Sequence, residues 1–138
     1  MRYFIASRWE NMKQVQILTE NISALGNEVF SFVKDPRNFV SKEELKTLPT
    51  ALKDLKNWRT NEQLRGLYER ELEGLRESDV FILLLPGGES SHIQAGIAFG
   101  LGKKTVLIGQ PEAVKTHYLI FDEYFSSIDD YLLSLKKL

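Results

Sequence analysis

The sequence predicts an α/β protein, a single-domain doubly wound parallel five-stranded sheet in the flavodoxin-like order 2-1-3-4-5. Three observations carry that expectation. An unbroken apolar run from Val80 to Leu85, closed by Pro86, reads as a strand buried on both faces. A glycine-containing loop, Gly87-Gly88-Glu89-Ser90-Ser91, follows it and opens a helix rich in small residues, after which Thr105 to Ile108 is a second apolar strand. Strand, glycine loop, helix and parallel strand form the repeating unit of such sheets, and ligands bind at the carboxyl ends of their strands. The third observation is size: 138 residues, 43% hydrophobic and 27% charged, suit one domain with one core.

Arg2 to Ala6 is the first strand, and Ser7 with Glu10 reads as a capping box opening a helix with Met12, Val15, Leu18, Ile22 and Leu25 at helical spacing, stopped by Gly26. Glu28 to Val33 is the second strand. Residues 34–60 are the least regular and read as an insertion near the ligand edge, with a further capping pair, Ser41 and Glu44; its Phe39 and Trp58 fit either a packed excursion or a stacking surface for a flat ligand. Thr60 and Gln63 mark the next helix start, and Leu64, Leu67, Tyr68, Leu72 and Leu75 its apolar stripe. Tyr118 to Phe121 with Tyr124 and Phe125 read as a short last strand. Ser127 to Leu138 then forms a closing amphipathic helix whose Lys136 and Lys137 suit its negative end.

Composition removes several function classes. A net charge of -1 speaks against a partner that is a nucleic-acid polymer or an anionic membrane. The absence of cysteine excludes a disulfide frame, a thiol nucleophile and a thiolate metal site. No histidine or carboxylate stands at metal spacing, and no metal or cofactor is expected. The first strand begins at Arg2, which leaves no room for a signal peptide, and the expected location is cytoplasmic.

On a helical wheel Glu71 falls inside the stripe of its helix, about 35° from the centre. A carboxylate there either reaches past the sheet edge or is held by partners in a cleft, because an unpaired buried charge is costly. Gly87 and Gly88 permit a tight turn and close backbone approach, with the N–H groups and the Ser90 and Ser91 hydroxyls forming a cradle; the same residues also make an ordinary turn and helix cap. No lysine follows as in a Walker loop. His92 sits in the first helical turn, either exposed or in contact with a phosphate. Gln94 completes a capping box with Ser91 or points into the pocket, and as an amide it can serve neither as general base nor as glycosidic nucleophile.

The chain resembles the nucleoside 2-deoxyribosyltransferase family and its nucleotide N-glycosidase relatives. The resemblance rests on Tyr3-Phe4-Ile5-Ala6-Ser7, on Glu71-Leu72-Glu73-Gly74-Leu75, and on Ser78 to Gly109. Within the last stretch, the glycine and serine loop followed by Gln94-Ala95-Gly96-Ile97-Ala98-Phe99-Gly100-Leu101-Gly102-Lys103-Lys104 is the more specific part. The resemblance implies cleavage or transfer at the N-glycosidic bond of 2-deoxynucleosides or their 5′-monophosphates, without a cofactor, by a homodimer or higher homo-oligomer. It places Tyr3 near the base or sugar, Glu71 where the family has an aspartate that assists proton transfer, and Ser90 and Ser91 against sugar hydroxyls or a 5′-phosphate. Ser7, Arg8 and Trp9 then lie at the ligand edge, Arg8 or Arg59 able to pair a phosphate and Tyr3, Trp9 or Trp58 to stack on the base. The family's nucleophilic glutamate falls on Gln94, a departure that should cripple covalent glycosyl transfer.

Three expectations follow from that departure: a non-catalytic nucleotide-binding or sensory protein, hydrolysis by direct attack of water supported by Glu71, or an inactivated variant. Flavin-binding and phosphorelay proteins share the fold class. The first needs a phosphate loop after strand one, where this chain has Ser7-Arg8-Trp9-Glu10-Asn11 without glycine. The second needs clustered acids where strand one ends, and here it ends Ala6-Ser7.

Overall fold

The computed structural model describes residues 1–34 and 55–137. The segment expected over 34–60, with Phe39 and the Ser41–Glu44 helix start, lies for the most part outside the described residues. Five strands, β1 (Arg2–Ala6), β2 (Glu28–Phe30), β3 (Val80–Leu84), β4 (Lys104–Ile108) and β5 (Glu123–Phe125), form one sheet in the order β2-β1-β3-β4-β5. Every neighbouring pair is parallel. This is the predicted topology. The helices described are α1 (Met12–Ala24), α2 (Glu62–Glu77), α3 (Glu89–Gly100) and α4 (Ile128–Lys136).

The sheet is covered on both faces, which is why its central strand tolerates no polar residue. All five residues of β3 are buried. Val80, Ile82 and Leu84 pack with Val15, Leu18 and Ile22 of α1 and with Tyr131 and Leu132 of α4. Phe81 and Leu83 point the other way, onto Leu75 of α2 and Ala95 and Ala98 of α3. Full burial of one such large side chain contributes roughly 1.5–3 kcal/mol. The two alanines explain why α3 is rich in small residues on its inner side: they let the helix axis lie close to the sheet.

Chain order reverses at β1. The crossover to β2 leaves on one side, and the return to β3 comes back past β1 on the other. The exits of β1 and β3 therefore stand at the topological switch point, and they are tied together. The Ser7 hydroxyl lies 2.7 Å from the Leu84 carbonyl oxygen and 3.2 Å from that of Pro86, and the Arg8 N–H donates to Pro86 O at 3.0 Å. Asn11 Nδ2 donates to Ser7 Oγ at 3.0 Å and lies 3.4 Å from Leu85 O.

Local expectations fail where side chains found better partners. Ser7 caps no helix, because its hydroxyl is spent on the β3 exit; a 3₁₀ turn at Trp9–Asn11 leads into α1 instead. The cap of α2 is Asn61, whose Oδ1 accepts from Leu64 N at 2.9 Å, rather than Thr60 with Gln63. Strand β2 stops at Phe30, since Ser31 and Lys34 exchange backbone hydrogen bonds and close a turn. Residues Thr116–Ile120 form a 3₁₀ turn, not a strand: Tyr118 N bonds back to Lys115 O and Phe121 N to Tyr118 O, while Tyr118, Ile120 and Phe121 cover the α2/α3-side core. No helix among the described residues is long and apolar enough to cross a membrane.

Candidate functional site

Glu71 and Gln94 meet. Glu71 on α2 and Gln94 on α3 each stand six residues before the end of their helix, at Glu77 and Gly100, so neighbouring helices of equal direction hold them at one height. Gln94 Nε2 donates to Glu71 Oε2 at 3.1 Å. Gln94 does not cap α3, since Gly88 is the N-cap and the helix begins at Glu89. At 1.5 Å per residue the pair lies about 8 Å below the start of α3, in the seam between the two helices.

Burial raises the Glu71 carboxyl above the usual carboxylate range; the Gln94 hydrogen bond and the positive Arg70 pull in the opposite direction. An ionised carboxylate only accepts hydrogen bonds, so the amide must turn its Nε2 toward Glu71. That leaves Gln94 Oε1 as a second acceptor beside the carboxylate. A carboxylate under desolvation next to an oriented acceptor is suited to taking a proton from a hydroxyl or a water.

The glycine loop above the pair is held by hydrogen bonds to one carbonyl. Gly88 O accepts from three donors: Ser91 Oγ at 2.8 Å, His92 Nδ1 at 2.7 Å and His92 N at 3.2 Å. Because a carbonyl oxygen can only accept, Nδ1 carries the proton in the neutral ring, and Nε2 accepts from the Tyr118 hydroxyl at 2.9 Å. The His92 and Tyr118 rings also stack, 5.7 Å between centroids. A Cβ on Gly87 would come within 2.9 Å of Leu83 Cδ1 and Ser91 Oγ and 3.2 Å of His92 Cε1, whereas one on Gly88 would meet nothing within 4 Å. Gly87 is required for close packing; Gly88 is not.

The remaining candidates divide. Ser90 is exposed at the first turn of α3, and Ser91 is only 4% exposed with its hydroxyl turned back to the loop. Arg8 is exposed at the β1 exit, and Trp9 beside it lies half-buried with its ring tilted against Phe32 at 5.1 Å. Trp58, 54% exposed, stands before α2 with the Arg59 guanidinium 5.3 Å from its ring. Tyr3 is not brought to Glu71. It is 5% exposed on the α1/α4 face of the sheet, packed with Tyr131, because alternation along β1 sends Tyr3 and Ile5 one way and Phe4 and Ala6 toward α2 and α3. Among the described residues no group of histidines or carboxylates is placed to hold a metal ion.

Sequence reasoning missed Asn11 and Tyr118 as parts of this edge. Asn11 had a local signal, a polar amide one turn after Ser7. Tyr118 had none, being 26 residues from the His92 it contacts.

No family model and no curated protein matches the chain. Solved structures do. A CMP N-glycosidase from Clostridium botulinum superposes with a TM-score of 0.62 at 17% identity over 99% of each chain. A 2-deoxyribosyltransferase from the psychrotolerant bacterium Bacillus psychrosaccharolyticus gives 0.66 at 16% identity, over 96% of this chain and 90% of that one. A conserved protein from Enterococcus faecalis gives 0.57 at 13% identity, over 99% and 98%. At these identities the likeness is one of fold: the single-domain five-stranded parallel sheet is shared with an N-glycosidase and a deoxyribosyltransferase.

Proposed function

We propose that this protein binds a 2-deoxynucleoside or its 5′-monophosphate and cleaves the N-glycosidic bond at Glu71. One observation carries the reading above all: a carboxylate withdrawn from solvent in the α2/α3 seam, oriented by Gln94 and set below the glycine loop. Support comes also from the fold shared with a CMP N-glycosidase and a 2-deoxyribosyltransferase and from the sequence resemblance to that family.

In this reading the sugar lies in the seam with C1′ toward Glu71 and its 5′ end toward Gly87, Gly88 and Ser90. Free N–H groups at the start of α3 favour a 5′-phosphate there. His92 and Ser91 serve by fixing the Gly88 carbonyl, and Arg8 supplies positive charge at the mouth. Trp9 or Trp58 stacks on the base. The reaction needs no cofactor. Partners are small molecules, and we infer a homodimer or larger assembly, for which Ile93 of α3, 65% exposed on its outer side, offers apolar surface. The amide at position 94 favours a second reading, a nucleotide-binding protein without turnover.

Calorimetric binding and chromatographic detection of free base, over a panel of 2-deoxynucleosides and their 5′-monophosphates, test the proposal. Binding with base release is expected. Binding alone would select the second reading, and no binding to any member would overturn both.

A further inference from the structure

Resting on the reading of this site as an N-glycosidic centre, we infer that the reaction is a single displacement by water held between Glu71 and Gln94, so that the protein hydrolyses its substrate without transferring the sugar. The geometry supplies the reason. Once Nε2 of Gln94 is committed to Glu71, the pair presents two acceptors side by side, the carboxylate and Gln94 Oε1. Among the described residues nothing else engages that oxygen. A water satisfying both acceptors donates both of its hydrogens and is left with its lone pairs facing outward, toward C1′. Glutamine amides orient attacking waters in comparable fashion in nucleotide hydrolysis.

The alternative course, through a glycosyl-enzyme, needs a nucleophile and a second group that deprotonates the water in the following step. Among the described residues the seam holds one carboxylate for both tasks. Glu69 faces solvent and reaches Arg65, and Glu73 is also exposed. With one carboxylate and one amide, water activation is the task the pair can complete. The step balances simply. Water oxygen bonds to C1′ from the side opposite the base as the C1′–N bond breaks, its electron pair leaving with the base. Glu71 takes the water proton and later returns it to solvent, and the departing base gains one from solvent. The products are free base and a sugar inverted at C1′.

The test uses a nucleotide that the protein cleaves, together with an isotopically labelled second free base, and follows base release, exchange into nucleotide, and the intact-protein mass. The parent is expected to release base, form no exchanged nucleotide and carry no sugar adduct. Glu71→Gln should lose at least ~100-fold in release. Gln94→Leu should lose about tenfold or more, the worth of one hydrogen bond to a charged group, with substrate affinity kept. Circular dichroism and melting of each variant check folding, and the near-isosteric Glu71→Gln guards against a collapse of the seam. Gln94→Glu, with two carboxylates, should gain exchange.

Exchange or a sugar adduct in the parent would overturn the inference and leave the N-glycosidic reading intact. A silent parent beside an active Gln94→Glu would do the same. Silence and absence of binding in every variant would remove the underlying reading as well.

Discussion

The two sides of α3 make an instructive contrast. Toward α2, Gln94 meets a carboxylate that burial disfavours and that has a neutral amide as its hydrogen-bond donor. Toward the β4–β5 connection, two positions earlier, His92 has each ring nitrogen matched, by Gly88 O and by Tyr118. A fully satisfied cluster fixes backbone; one with spare acceptors and a penalised charge is ready to act on something else. The same helix thus carries a structural edge and the edge to which we assign the chemistry.

Substitutions should separate them. The largest effect is expected at Glu71: replacing the carboxylate by its amide removes the proposed general base and should cut base release by ~10²–10⁴-fold, while circular dichroism stays native. Next, Gly87→Ala, whose Cβ would intrude on Leu83, Ser91 and His92, should destabilise by about 1–3 kcal/mol in denaturant titration, and Gly88→Ala by under ~0.5 kcal/mol. Equal costs at the two glycines would contradict the packing described. Tyr118→Phe removes the donor to His92 Nε2 and should cost about 0.5–1.5 kcal/mol, readable as a lowered melting midpoint.

The pH dependence should be the subtlest difference. The folded protein raises the Glu71 carboxyl above its unfolded value, so the folded state binds that proton more tightly. Ionised Glu71 therefore costs stability, and the cost grows as pH rises from the ordinary carboxylate range through the raised folded value. Glu71→Gln should melt higher than the parent at neutral pH, with the gap closing near pH ~4. A gap that widens on acidification would show the sign to be wrong. Arg70 and Gln94, which favour the ionised form, moderate the effect without reversing it.

Much of this was legible in the chain. The apolar run at Val80–Leu84 and the glycine loop announced a central parallel strand, because burial on both faces leaves no polar alternation. Glu71 was visible as a charge on an apolar stripe, and Gln94 as an amide in the resemblance where a carboxylate belongs. Their meeting was not visible, since it depends on two helices ending at the same height. Tyr3 went astray for a related reason: a strand position fixes a face only once the helices covering each face are known. Caps also misled. Ser7 had every local mark of a helix cap, and a partner 77 residues away took its hydroxyl. Short-range hydrogen-bond signals lose to tertiary partners wherever loops from distant strands converge, which is where a doubly wound sheet puts its site.

The most direct measurement is base release from a 2-deoxynucleoside 5′-monophosphate by the parent, Glu71→Gln and Tyr118→Phe side by side. We expect release by the parent, loss in Glu71→Gln, and most of the activity kept in Tyr118→Phe. Release undiminished in Glu71→Gln would contradict the assignment of the chemistry to the α2/α3 seam.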